Sequence, residues 1–202
     1  MEKAALKEHR RHSTADKPFS YYISNIPEYF PNAPMHWHKE FELNVILEGE
    51  GDFVTGDIHF TAYKGDIVLT PPDMLHAVYQ HDDKRCVYDT LDLDGSMLGS
   101  RDNDRAADAF IAPLISGAYS IETHITPEHC YYSELLTTAE NMISAAKGDT
   151  PLLDMLIKSE LLRFMFLLTS RNTVRCMSMV FNYADATRKC ESRKISLSKR
   201  SR

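Results

Sequence analysis

His36-Trp37-His38-Lys39-Glu40-Phe41-Glu42-Leu43-Asn44-Val45-Ile46-Leu47 is the stretch on which the fold turns. From Glu40 onward it alternates. Phe41, Leu43, Val45 and Leu47 fall on one side and Glu40, Glu42, Asn44 and Ile46 on the other, the period of two of a strand with one face in a core. Carried backward, the same period puts His36, His38, Glu40 and Glu42 on a single face. Two imidazoles and two carboxylates at the head of an apolar strand are costly to bury without partners. A cation resolves the cost, because neutral imidazole nitrogens and a carboxylate oxygen suit a borderline transition metal. A fourth ligand has to come from elsewhere, and His76, after Gly65 and the Pro71-Pro72 turn, is the candidate. The metal ligands read this way are His36, His38, Glu42 and His76, with Glu40 joining them on the ligand-binding face as a rim residue. The alternative use of the same cluster is a polar pocket, satisfied by water or binding an organic effector directly.

Outward from this stretch, Phe19 to Leu93 reads as short strands punctuated by turns. Glu48-Gly49-Glu50-Gly51 is expected to stop the first strand. Further runs follow at Asp52–Thr55, Ile58–Tyr63, Asp66–Thr70, His76–Gln80 and Cys86–Leu93. Many short strands at about ten-residue spacing predict an antiparallel barrel or sandwich. After Leu93 the period changes. Asp104–Ile115 has helical spacing, and Tyr119–Ile125 reads as one more strand. Thr126-Pro127 offers an N-cap and a proline at the first helical position. Leu135, Leu136, Ala139, Met142, Ile143 and Ala146 then recur at three and four, up to a stop at Gly148. Thr150-Pro151 starts a second helix, striped by Leu153, Leu156, Ile157, Leu161, Phe164, Met165 and Leu168. Leu162, Phe166 and Leu167 lie off that stripe, so the helix packs on both barrel and hairpin partner or forms a dimer interface. The division expected is a flexible arm over 1–17, a barrel over 18–125, a helical hairpin over 126–170 and a basic, disordered tail over 171–202, in which 174–180 could extend a helix.

Composition narrows the function. The chain of 202 residues is 43% hydrophobic and 26% charged, the balance of a globular protein. It lacks the run of about 18 apolar residues needed for a membrane span and the apolar centre of a signal peptide. Cys86, Cys130, Cys176 and Cys190 form no CxxC pair, which argues against a disulfide framework or zinc finger and for buried thiols in a cytoplasmic protein. The net charge of −6 conceals a split: residues 171–202 carry +7 and the remainder −13. An acidic body is a poor surface for nucleic acid. His59 and His81 fall in turns and are read as solvated. His9, His12, His124 and His129 have no partner spacing. Tyr21, Tyr22, Tyr63, Tyr79 and Tyr88 fit a barrel core as well as a pocket, while Trp37 and Phe41 are read as packing.

Two resemblances sharpen this reading. His36, His38, Glu42 and Gly49 stand at the spacing of the first motif of the cupin superfamily. Gly65, Pro71 and His76 fit its second motif, with Asp73 in place of a glycine and Gln80 in place of an asparagine. The resemblance implies a small β-barrel or jelly roll with the four side chains converging inside. It implies a divalent transition metal, Fe, Mn, Ni, Zn or Cu, and puts the turn at Asp73 in question. The chain to about Arg171 also resembles the N-terminal sensor of AraC-type transcription regulators, carried by His36 to Leu43, Val45 to Gly51, Lys64 to Pro71 with His76, and the trailing hairpin. That family implies a barrel sensing a small effector such as a sugar or organic acid, and a homodimer through 127–170. It implies DNA contact only through a C-terminal segment of roughly a hundred residues with two helix-turn-helix motifs. The 32 residues after 170 cannot build that segment, so a truncated or frame-shifted end is expected. The competing readings are a metal-dependent cupin enzyme of dioxygenase or isomerase type, with Glu40 as its acid or base, and a cupin that only binds a small ligand. An enzyme barrel has no need of the amphipathic hairpin and a dimeric regulator does, so a non-enzymatic sensor is expected.

Overall fold

The computed structural model describes residues 3–99, 104–149, 152–170 and 175–176. Its first part is built from β1 (Phe19–Ile26), β2 (Asn32–His36), β3 (Phe41–Thr55), β4 (Ile58–Tyr63), β5 (Ile67–Thr70), β6 (His76–Gln80) and β7 (Cys86–Leu93). All pair antiparallel, in the order β1-β7-β3-β5, with β4 and β6 on the far half of β3 and β2 against β6. This is the mainly β cupin-type barrel, followed by a helical hairpin, that the sequence predicts.

β3 holds the barrel together. Residues 41–49 pair with β7 and residues 50–55 with β4, so one chain segment serves both halves of the sheet. The expected stop at Glu48–Gly51 is instead a corner. The register slips between Ile46 and Glu48, and Gly49 adopts φ +74°, which glycine takes at no steric cost. Gly49 also passes hard against the turn before β7, where an added Cβ would lie 1.7 Å from the Arg85 carbonyl oxygen.

The corner also explains one departure from the alternation. Phe41, Leu43 and Val45 are buried against the helices, and Ile46 packs inside the barrel with Ile26, Phe53, Val68 and Tyr88. Leu47, expected on the Phe41 face, is exposed because the bulge breaks the period at that point.

Beyond the barrel, a short 3-10 turn (Gly95–Leu98) is capped by Asp94, whose Oδ1 accepts from the Ser96 amide at 2.8 Å. The helical spacing over 104–115 becomes a π turn (Ala107–Ile111) running into α1 (Ala112–Ile115). The run expected as one strand at 119–125 is two, β8 (Tyr119–Ser120) and β9 (His124–Ile125), because only β9 joins β5. Arg175–Cys176 forms a short strand, β10, against β8, and not the helix extension expected there.

The hairpin is α2 (Tyr132–Lys147) and α3 (Leu153–Thr169). α2 starts five residues later than Pro127 suggests. The Thr126 hydroxyl bonds the Glu128 carboxylate in place of a helix amide, and the ring of His129 takes the Tyr131 amide at 3.1 Å. Gly148 ends the helix as expected, and its amide donates to the Ala145 carbonyl. Thr150-Pro151 lies outside the described residues. Leu135, Ala139 and Met142 of α2 and Ile157, Leu161, Phe164 and Leu168 of α3 share one core with Phe41, Leu43, Leu91 and Leu93. A polar tie flanks it. Lys147 at the end of α2 reaches Asp89 of β7 at 3.0 Å, and the Tyr21 hydroxyl donates to the other oxygen of Asp89 at 2.6 Å.

Gly49→Ala combines a left-handed φ with a backbone clash. We expect it to cost roughly 3 kcal/mol or more by urea unfolding. A loss under about 1 kcal/mol would show that the corner yields.

Candidate functional site

His36 is the last residue of β2 and stands opposite His76, the first residue of β6, with ring centroids 4.1 Å apart. The chain then leaves the sheet. Residues 37–40 are not the straight strand expected, since β3 begins only at Phe41 and Trp37 bridges to Lys7. His38 is placed by the turn before β6, where the Asp73 amide donates to its carbonyl at 2.8 Å. Asp73 adopts φ +59°, the conformation a glycine would take and one that aspartate tolerates. The substitution in the second motif therefore leaves the turn intact.

Glu42, at the second position of β3, points into the barrel. One donor atom from each of His36, His38, Glu42 and His76 falls within 4.8 Å of all the others. The hydrogen bonds behind them set the tautomers. His36 Nδ1 lies 2.7 Å from the Pro34 carbonyl and His76 Nδ1 lies 2.8 Å from the Met74 carbonyl. A carbonyl only accepts, so both Nδ1 atoms carry a hydrogen, and in the neutral rings both Nε2 atoms turn a lone pair inward. Glu42 Oε1 accepts from Asn44 Nδ2 at 2.7 Å, and Oε2 stands 3.4 Å from both His38 Nε2 and His76 Nε2. His76 Nε2 is buried and forms no hydrogen bond. Acceptors thus converge on one point, where they require positive charge. Burial raises the Glu42 carboxyl, but His76 and His38 outweigh it and hold it well below the usual range. Burial lowers His76, and Glu42 more than reverses this. His36 is lowered, by burial and by His76 beside it.

Glu40 is set apart from this point. It lies behind His38, with one oxygen 3.5 Å from Nδ1 and the other accepting from the Ser13 hydroxyl at 2.6 Å. It braces His38 and does not line the cavity.

The segment before β1 supplies what the sequence reading missed. Residues 7–14 are not a free arm. The Glu8 amide donates to the Trp37 carbonyl, and His12 is 6% exposed. His12 Nδ1 stands 2.6 Å from Asp92 of β7 and Nε2 stands 2.8 Å from Glu8. Both partners are carboxylates: Nε2 donates to Glu8 and Nδ1 faces Asp92 as a close ion-pair contact, an environment that favours the imidazolium. Burial opposes that charge, but Asp92 and Glu8 raise the pKa to about 11. The signal was local in part, since Glu8 and His12 are an i, i+4 pair, but Asp92 lies eighty positions away.

The barrel opens here into a cavity of about 210 Å³, lined by His36, Glu42 and His76 together with Glu8, Arg10 and Asp92. Of the tyrosines, Tyr22 and Tyr88 line it, Tyr21 faces the hairpin, and Tyr63 and Tyr79 are exposed. Two of the other histidines have carboxylate partners: His81 meets Asp52 at 2.8 Å, and His124 meets Asp66 at 2.7 Å and stacks on Phe60.

Residues 21–165, which take in the barrel and nearly all of the hairpin, match the AraC-like ligand binding domain. The chain belongs to that family. Over 89 residues the chain is 27% identical to an uncharacterized HTH-type transcriptional regulator, YdeC of Bacillus subtilis, covering 44% of this chain and 31% of that protein. Solved structures that it resembles include a cupin protein from Bacteroides fragilis, 19% identical over 41% of this chain and 71% of the other, with a TM-score of 0.37. The DMSP lyase DddQ from Ruegeria pomeroyi is 23% identical over 43% of this chain and 41% of the other, at 0.34. Glu8, Arg10 and His12 precede the part matched to the AraC-like ligand binding domain, so these cavity residues lie outside the family match.

His12→Ala leaves Asp92 buried without its cation. We expect a loss of roughly 3 kcal/mol by urea unfolding and new protease cleavage before Phe19. Unchanged unfolding and protection would contradict the docked segment.

Proposed function

We propose that this AraC-like ligand binding domain is the sensing and subunit-pairing module of a transcription regulator, and that a metal in the barrel forms part of its effector site. The observation that carries the first half is the family match, which spans barrel and hairpin together. DNA recognition would belong to a helix-turn-helix segment and not to the acidic barrel. Among the described residues no helix is long and apolar enough to cross a membrane, consistent with a regulator working in the cytoplasm.

The metal reading rests on the donor set. His36, His38, Glu42 and His76 would hold a divalent transition ion, with Fe, Mn, Ni, Zn and Cu all compatible with imidazole and carboxylate. The unpartnered Nε2 of His76 and the carbonyl-fixed tautomers fit that role. Such an ion would supply positive charge and a Lewis-acid site for an effector oxygen. Asn44 orients Glu42, and Glu40 with Ser13 braces His38. Glu40, the acid or base that the enzyme reading would use, is turned away from the cavity behind His38.

The pairing surface lies on α3. Met155 and Phe166 are each about two-thirds exposed, and Leu152, Leu156 and Leu162 are exposed on the same side of the helix. Leu167, off the stripe in sequence, is buried instead.

Light scattering at micromolar concentration should give a dimer mass for the wild type and a monomer for Phe166→Glu, with about one divalent ion per chain in the wild type and none in His36→Ala. A monomeric wild type would remove the pairing half of the proposal. Loss of no metal on His36→Ala would remove the other half.

A further inference from the structure

Two polar groups in the cavity are left without partners by the metal cluster, and both call for a ligand. The first is Arg10. Its guanidinium carbon lies over the Tyr22 ring, 4.2 Å from the centroid, which holds the head at the cavity wall. Among the described residues no carboxylate pairs with it. The second is Asp92. One of its oxygens holds His12, but Oδ1 is buried, receives no hydrogen bond, and lies on the side of His38 Nε2 at 4.0 Å. An unpaired carboxylate oxygen needs an O–H or N–H donor.

Charge and size define the rest. Glu8, Glu42 and Asp92 share the cavity with Arg10 and His12. A divalent ion would add positive charge to that of Arg10, which favours an anionic ligand. At about 30 Å³ per water-sized group, 210 Å³ takes a molecule of roughly six or seven non-hydrogen atoms.

We infer that the effector is a small hydroxycarboxylate, its carboxylate held by Arg10 and its hydroxyl donating to Asp92 Oδ1. The inference rests on the sensing role proposed above and names its ligand class. A guanidinium held over an aromatic ring can take a carboxylate with two parallel N–H bonds, stronger and more directional than a neutral contact. The hydroxyl separates such a ligand from a plain acid, because a site with a buried acceptor discriminates against an analogue that leaves the acceptor bare.

The test uses the full chain loaded with Mn(II) and three probes of nearly equal size, titrated by calorimetry: lactate, propionate, which lacks the hydroxyl, and propane-1,2-diol, which lacks the carboxylate. Lactate should bind at least tenfold tighter than either of the others. Arg10→Gln should weaken lactate at least tenfold and leave the diol unchanged, with an unaltered urea midpoint because Arg10 is exposed. Equal binding of the three probes, lactate binding indifferent to Arg10→Gln, or no binding of either acid at millimolar concentration would overturn the inference. Dimer mass and manganese content, read on the same samples, separate this outcome from failure of the sensing role. If both persist while the acids fail, only the ligand class is wrong. If the protein takes no metal yet holds lactate through Arg10, the anion site stands and the metal falls.

Discussion

A carboxylate inside a β-barrel has to be met by positive charge, and Glu42 sets that requirement for the rest of the pocket. It sits on β3, the strand that serves both halves of the sheet, so it cannot withdraw to solvent without breaking the barrel. Asn44, two residues on and on the same face, satisfies one oxygen. The other oxygen faces two imidazoles, His76, whose Nδ1 is bonded to the Met74 carbonyl, and His38, whose Nδ1 stands near Glu40 without a hydrogen bond. Proton and metal are two ways of meeting the same demand, and the carbonyl-fixed tautomers of His36 and His76 favour a ligand that takes lone pairs.

The same electrostatics extends beyond Glu42. Asp92 on β7 presses toward the cluster and is held by the His12 imidazolium, which brings the chain before β1 across the mouth of the barrel. β7 also carries Asp89 on its other face, tied to Lys147 at the end of α2. Alternation along one strand therefore puts a pocket carboxylate and a hairpin carboxylate three residues apart.

Much of this was legible in sequence because it is local. The alternation of Phe41, Leu43 and Val45 gave the strand and its buried face, and the spacing of His36, His38, Glu42 and His76 marked side chains that the fold brings together. The hairpin stripes showed most of the residues that pack, Phe164 and Leu161 among them, while Leu156 on the stripe is exposed and Leu167 off it is buried. What was missed depends on geometry that spacing does not encode. The corner at Gly49 looked like a turn because glycine serves both, and only pairing on either side distinguishes them. The lone His12 acquires a role from Asp92, whose proximity depends on the whole sheet. Glu40 obeys the period of the strand yet leaves the cavity, because the chain bends at Trp37 through Glu40 before β3 begins.

The claim that cation demand at Glu42 organises the pocket is tested most directly by X-ray absorption at the edge of a metal loaded into the purified protein. With zinc, the account predicts a shell of nitrogen and oxygen ligands at about 2.0–2.1 Å, with the outer-shell scattering of three imidazoles and no sulfur. A spectrum of hydrated ion, or zinc lost on dialysis, would contradict it.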